Sequence, residues 1–102
     1  MTREIKRGDV WSLPDNRHVL VVSLSGLDEA YGAVLALVLH LAGRYCDTAM
    51  SVVITEPVLS TAVAVNRQQL RTHHLAQATH LGAVDPAAMA RADQALRAVL
   101  DL

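Results

Sequence analysis

The apolar residues of this chain fall into two regimes. From Val10 to about Leu70 they come in short bursts rich in β-branched residues, and from about Asp85 to Leu102 they follow a helical period. Val10 to Leu13 and Val19 to Val22 read as two strands. Pro14, Asp15 and Asn16 between them make a tight turn, so the pair predicts a hairpin. Ser23 to Gly26 breaks the pattern, and Leu27 to Tyr31 fits either a helix or a strand. Ala33 to Leu39 is continuously apolar and fits a central strand covered on both faces or a short buried helix; Gly32 and Gly43 bracket a segment too short for a typical helix, which favours the strand. After a polar loop from Ala42 to Ala49, Ser51 to Thr55 is a strand ended by Pro57, and Ala62 to Val65 is another. Asn66 to Arg71 is polar and is expected to lead out of the sheet. Leu75 to Leu81 is expected to form a short helix stopped by Gly82.

The last element carries the strongest signal. Asp85 is suited to cap a helix, and Pro86 fits its first turn. Met89, Ala92, Leu96, Val99 and Leu100 then recur on one face of an amphipathic helix, with Arg91, Asp93, Gln94 and Arg97 on the rest. The expected architecture is mainly β with α (α+β): a small sheet or barrel of about five strands with a C-terminal amphipathic helix, in one domain over residues 1–102. The aliphatic excess in the strands suggests that one face serves a partner, most simply a second copy of the chain.

Composition narrows the chemistry. Of 102 residues only Trp11, Tyr31 and Tyr45 are aromatic, which excludes an aromatic base-stacking platform. The formal net charge is −1, so any contact with nucleic acid should be short and local. A single cysteine, Cys46, excludes an internal disulfide framework and a multi-cysteine zinc site. The polar start, Met1 to Arg7, predicts no secretory signal, and no apolar run approaches the roughly 20 residues of a membrane helix. A cytoplasmic protein without a membrane segment is expected.

The residues Lys6-Arg7-Gly8-Asp9-Val10-Trp11, then Arg17-His18-Val19-Leu20-Val21-Val22-Ser23, resemble the start of MazF/PemK-like toxins, R-G-(D/E)-(I/V)-(W/Y) followed by R-P-V-L-V-V-S. Gln69-Leu70-Arg71-Thr72 is similar to the family's Q-I-R-T stretch. Leu81-Gly82, Met89 to Leu96 and Leu100-Asp101-Leu102 are similar to its ending. The resemblance runs over nearly the whole chain. It implies an SH3-like small barrel with added helices, a homodimer, and the toxin half of a toxin–antitoxin pair. It further implies metal-free, sequence-specific cutting of single-stranded RNA to 2′,3′-cyclic phosphate ends, blocked by a cognate antitoxin. The related fold also includes gyrase poisons, so a binding module without ribonuclease activity is the alternative.

The chain departs from the family pattern in three places. The loop between the first two strands is very short, and His18 stands where the family has Pro. Leu39-His40 stands where the third strand usually ends in a catalytic Thr and a Ser.

Metal-free cleavage needs a base for the 2′-hydroxyl, charge stabilisation at phosphorus and an acid for the leaving oxygen. The resemblance assigns Arg17 to the phosphate, where a planar guanidinium holds two oxygens at once. Composition alone reads it as an ordinary hairpin arginine. His40 is the candidate proton carrier, against a strand-end histidine bonded to solvent or backbone. His18 is a candidate RNA contact, although strand alternation should turn it to the face opposite Arg17. Arg44, Thr48, Arg67 and Arg71 are candidate contacts to RNA or antitoxin. Arg67 and Arg71 also read as part of a solvated turn. A groove joining Arg17, Arg44 and Arg67 is expected, with Thr48 or Ser51 supplying the missing hydroxyl. His73, His74 and His80 match no zinc spacing, and His73 and His74 are expected on a solvated loop. No metal or cofactor is expected.

Overall fold

The computed structural model describes residues 5–41 and 50–101. Arg44, Cys46 and Thr48 lie outside them. The elements run β1 (Asp9–Ser12), β2 (His18–Val21), α1 (Leu27–Tyr31), β3 (Ala33–Leu41), β4 (Ser51–Ile54), β5 (Ser60–Arg71), α2 (Thr72–Leu75), β6 (Thr79–Ala83) and α3 (Pro86–Leu100). The strands form one six-stranded sheet in the order β4-β5-β3-β2-β1-β6, with every pairing antiparallel. The fold is mainly β with helices, as the sequence predicts.

The β1–β2 hairpin forms as expected. Asn16 adopts a left-handed conformation (φ 69°), and its N–H bonds back to the Leu13 carbonyl at 2.9 Å. β3 is the predicted central strand and pairs with β2 on one side and β5 on the other. Its side chains feed two separate cores on the two faces of the sheet. Leu37 and Leu39 join Val10, Leu20, Val52, Ile54 and Ala62 beneath α3. Val34 and Ala36 join Trp11, Val19, Val21 and Leu70 on the other face, around Leu75. A side chain as fully buried as Leu20 or Leu37 contributes roughly 1.5–3 kcal/mol of transfer free energy.

Three expectations are corrected. Asn66 to Arg71 does not leave the sheet: it is the second half of a twelve-residue β5, paired with the first half of β3. Its polar residues suit it to a strand that is largely exposed, with Val65, Arg67, Gln69 and Arg71 open to solvent and Asn66 and Gln68 half-buried between them. Leu75 to Leu81 is not a helix. One turn, α2, ends at Leu75, and the chain then returns as β6, a sixth strand beside β1. Pairing with a free sheet edge overrides the local helical spacing. His73 and His74 accordingly sit in α2 rather than on a loop, with their rings 4.3 Å apart. Gly82 lies inside β6 at φ 145°, where an added Cβ would come within 3.0 Å of Pro57.

α3 begins as predicted. The Asp85 carboxylate accepts the Ala88 N–H at 2.7 Å, and Pro86 opens the first turn. Ala88, Ala92 and Ala95 form its buried line, with Met89, Leu96 and Val99 packed beside them on the core under β4 and β5. Leu100, assigned to the buried face by periodicity, is 42% exposed. The buried line centres on Ala88, Ala92 and Ala95, and at 100° per residue Leu100 falls roughly 80° from Ala92, at the edge of that line. An Arg7–Asp93 ion pair ties the segment before β1 to α3.

Candidate active site

The hairpin turn and the end of β3 build the site. β2 and β3 pair with His18 opposite Leu39. One further step of that register brings Arg17 level with His40. Both side chains, with His18, line a cleft of about 290 Å³ closed on the far side by Val58, Leu59 and Ser60. The sequence reading separated His18 from Arg17 by strand alternation. Arg17 precedes β2, however, and the cleft runs across the strand ends, so both border it.

Arg17 is held in place. Its Nε donates to Asp15 Oδ2 at 2.7 Å, and one terminal nitrogen donates to Gln68 Oε1 at 2.9 Å. Asp15 also accepts the Arg17 backbone N–H at 3.1 Å. That backbone bond, with the side-chain bond and the guanidinium charge, holds the Asp15 carboxyl below the usual carboxylate range against the opposing effect of desolvation. The pair is exposed, with side-chain exposures of 44% for Arg17 and 56% for Asp15. The guanidinium is therefore aimed yet open to an incoming anion.

His40 is shared with a second concavity of about 310 Å³, lined also by Val38, Val65, Asn66, Arg67 and Gln68. Its Nε2 lies 2.8 Å from Asn66 Nδ2. Arg67 lines this second concavity and Arg17 the first; the two share Val38 and His40, and Arg44, the third residue of the expected groove, lies outside the described residues. Arg71 lines neither: it is four residues further along β5, roughly 13 Å at strand rise, opposite Ala33. Ser51, a proposed source of the missing hydroxyl, is buried in β4 and lines neither cleft. Ser60 does line the first cleft, although its hydroxyl donates to the Val58 carbonyl at 3.0 Å.

Asn66, Gln68 and Ser60 are the residues that sequence reading missed. The run Asn66 to Gln69 is polar throughout and has no apolar–polar alternation, so its alternating burial appears only in the structure. The remaining histidine, His80, lies on β6 against Trp11, with ring centroids 5.0 Å apart, and its Nε2 is 3.3 Å from Asp9 Oδ1. Among the described residues no group of three or more His, Cys, Asp or Glu side chains is placed to hold a metal ion. None of the described helices is long and apolar enough to cross a membrane.

No family model and no curated sequence matches the chain. Its backbone, in contrast, superposes on solved structures along its full length. An endoribonuclease from a mycobacterial species is 24% identical, with a TM-score of 0.83 over 100% of this chain and 96% of that one. An endoribonuclease of mycobacterial origin in complex with its cognate antitoxin is likewise 24% identical, with a TM-score of 0.82 over 96% of each chain. MazF from Deinococcus radiodurans is 16% identical, with a TM-score of 0.78 over 98% of this chain and 99% of that one. This is the MazF fold. At these identities the likeness is one of backbone. The MazF fold here carries a very short β1–β2 connection, and the Arg17 and His40 clefts meet at its mouth.

Proposed function

We propose that the protein is the toxin of a toxin–antitoxin pair, an endoribonuclease that cuts single-stranded RNA at short specific sequences. The observation that carries this reading is the convergence of Arg17, His18 and His40 on one cleft of a MazF fold. Arg17 engages two non-bridging oxygens of the scissile phosphate. The RNA's own 2′-hydroxyl attacks phosphorus, the bond to the 5′-oxygen breaks, and a 2′,3′-cyclic phosphate and a 5′-hydroxyl result. His40 takes the proton of the 2′-hydroxyl and returns it to the departing 5′-oxygen, in the place where the family pattern has Thr-Ser. His18, Arg67 and, more distantly, Arg71 contact the flanking backbone, as do Arg44 and Thr48.

The chain works as a homodimer restrained by an acidic antitoxin segment. Leu59 and Val65, 58% and 59% exposed on the cleft rims, support a macromolecular partner there. The antitoxin complex of a mycobacterial endoribonuclease with this backbone supports the antitoxin.

The test is cleavage of long RNAs by purified protein in EDTA, beside Arg17→Ala. Discrete fragments with cyclic phosphate ends are expected, with cleavage reduced on the order of a hundredfold or more in the variant. Near wild-type cutting by Arg17→Ala would remove Arg17 from the site. The Leu39-His40 departure favours one other reading, a binding module of the same fold. Absence of cleavage by the wild type on every RNA would select it.

A further inference from the structure

Two half-buried amides of β5 hold the two candidate catalytic side chains. Asn66 meets the His40 ring at 2.8 Å, and Gln68 meets the Arg17 guanidinium at 2.9 Å. They are two residues apart, so they stand on one face of the strand, roughly 6.6 Å from each other. The strand is irregular at this point. Leu37 pairs with Arg67 while Leu39 pairs with Ala62, so five steps of β5 oppose two of β3. Such bulges re-aim side chains and are common beside active sites. Neither amide belongs to the core, and neither has a turn or cap to form. Their hydrogen bonds are spent on the site.

We infer that Asn66 and Gln68 are positioning residues that set the spacing between His40 and Arg17, with Asn66 also fixing the orientation and proton exchange of the His40 ring. The inference rests on the ribonuclease reading above. An amide suits the task because it serves either state of the ring: its NH2 donates to an unprotonated Nε2, and after a half-turn its carbonyl accepts from a protonated one. Proton transfer through Nε2 then requires Asn66 to yield or turn. Among the described residues, the charged and titratable side chains lining the clefts with His40 are Arg17, His18 and Arg67. Asp15 is engaged by Arg17. Asn66→Asp introduces a carboxylate at the position of the amide that lies 2.8 Å from the ring nitrogen.

The experiment is an NMR titration of His40 in the wild type, Asn66→Asp and Asn66→Ala, run beside RNA cleavage against pH. Asn66→Asp is expected to raise the His40 titration midpoint by about one pH unit or more and to move the corresponding limb of the cleavage profile with it. Asn66→Ala is expected to change the ring nitrogen shifts and to lower cleavage by up to about a hundredfold. Gln68→Ala should lower cleavage without moving the His40 midpoint. An unchanged midpoint in Asn66→Asp, or unchanged ring nitrogen shifts in Asn66→Ala, overturns the coupling even if the wild type cleaves. If the titrations respond as expected and the wild type cuts no RNA, the coupling stands and the ribonuclease reading fails.

Discussion

Thr61 sits opposite His40 on β3 and Val53 on β4, is fully buried, and has a hydroxyl with no hydrogen-bond partner among the described residues. A buried hydroxyl left unpaired costs roughly 1–3 kcal/mol on the scale of protein mutations. Thr61→Val keeps the branched shape and replaces the hydroxyl with a methyl group, so no cavity opens. The variant should be more stable by about 1 kcal/mol. For a chain of this size that corresponds to a melting point raised by roughly 4–8 °C, or a urea midpoint raised by a few tenths of a molar to about 1 M. Thr61→Ser is the control: it keeps the unpaired hydroxyl, loses the methyl and should be destabilised by about 1 kcal/mol. Thermal and urea unfolding of the three proteins decide the matter. If Thr61→Val is less stable than the wild type by 1 kcal/mol, the hydroxyl has a native partner and the reasoning fails.

Two further outcomes follow from the same geometry. Gly82→Ala should destabilise by about 1–3 kcal/mol, because φ 145° is closed to a side chain and the new Cβ would press on Pro57 at 3.0 Å; a urea melt matching that of the wild type would contradict this. Asp15 has a folded-state pKa below its unfolded value, so its stabilising contribution is present above the ordinary carboxylate range and is lost as pH falls through the depressed pKa. Asp15→Asn should therefore be less stable than the wild type near neutrality, with the difference closing in strong acid. A difference that stays constant with pH would rule out the carboxylate as its source.

The local signals in this chain are those a short segment can carry by itself. Asp85-Pro86 followed by a helical period made α3 legible, and Pro14 to Asn16 between two β-rich bursts made the hairpin legible. Both depend on contacts a few residues apart. Arg17 and His40 are marked as candidates by the resemblance to the MazF/PemK pattern; by local pattern alone Arg17 reads as an ordinary hairpin arginine and His40 as a strand-end histidine. What failed was whatever depended on a distant partner. Asn66 to Arg71 is polar enough to read as a connection, and only pairing with β3 makes it a strand, with Arg67, Gln69 and Arg71 in water and Asn66 and Gln68 half-buried. Leu75 to Leu81 reads as a helix, and only the open edge of β1 makes Thr79 to Ala83 a strand, β6. Leu100 is placed on the apolar face by its period, but the buried line is set by Ala88, Ala92 and Ala95, which leaves it at the exposed edge.

The candidate site divides along the same line. The amino-acid sequence by itself determined which groups are available: one guanidinium next to a tight turn, one imidazole at the end of an apolar strand, and amides in a polar stretch. The tertiary structure alone decided that they converge. The antiparallel register sets Arg17 level with His40, and the irregular pairing of β3 with β5 brings Asn66 and Gln68 to them. Residue types are local properties, whereas register is set by which strands bury their apolar faces together, and that choice is made by the whole core at once.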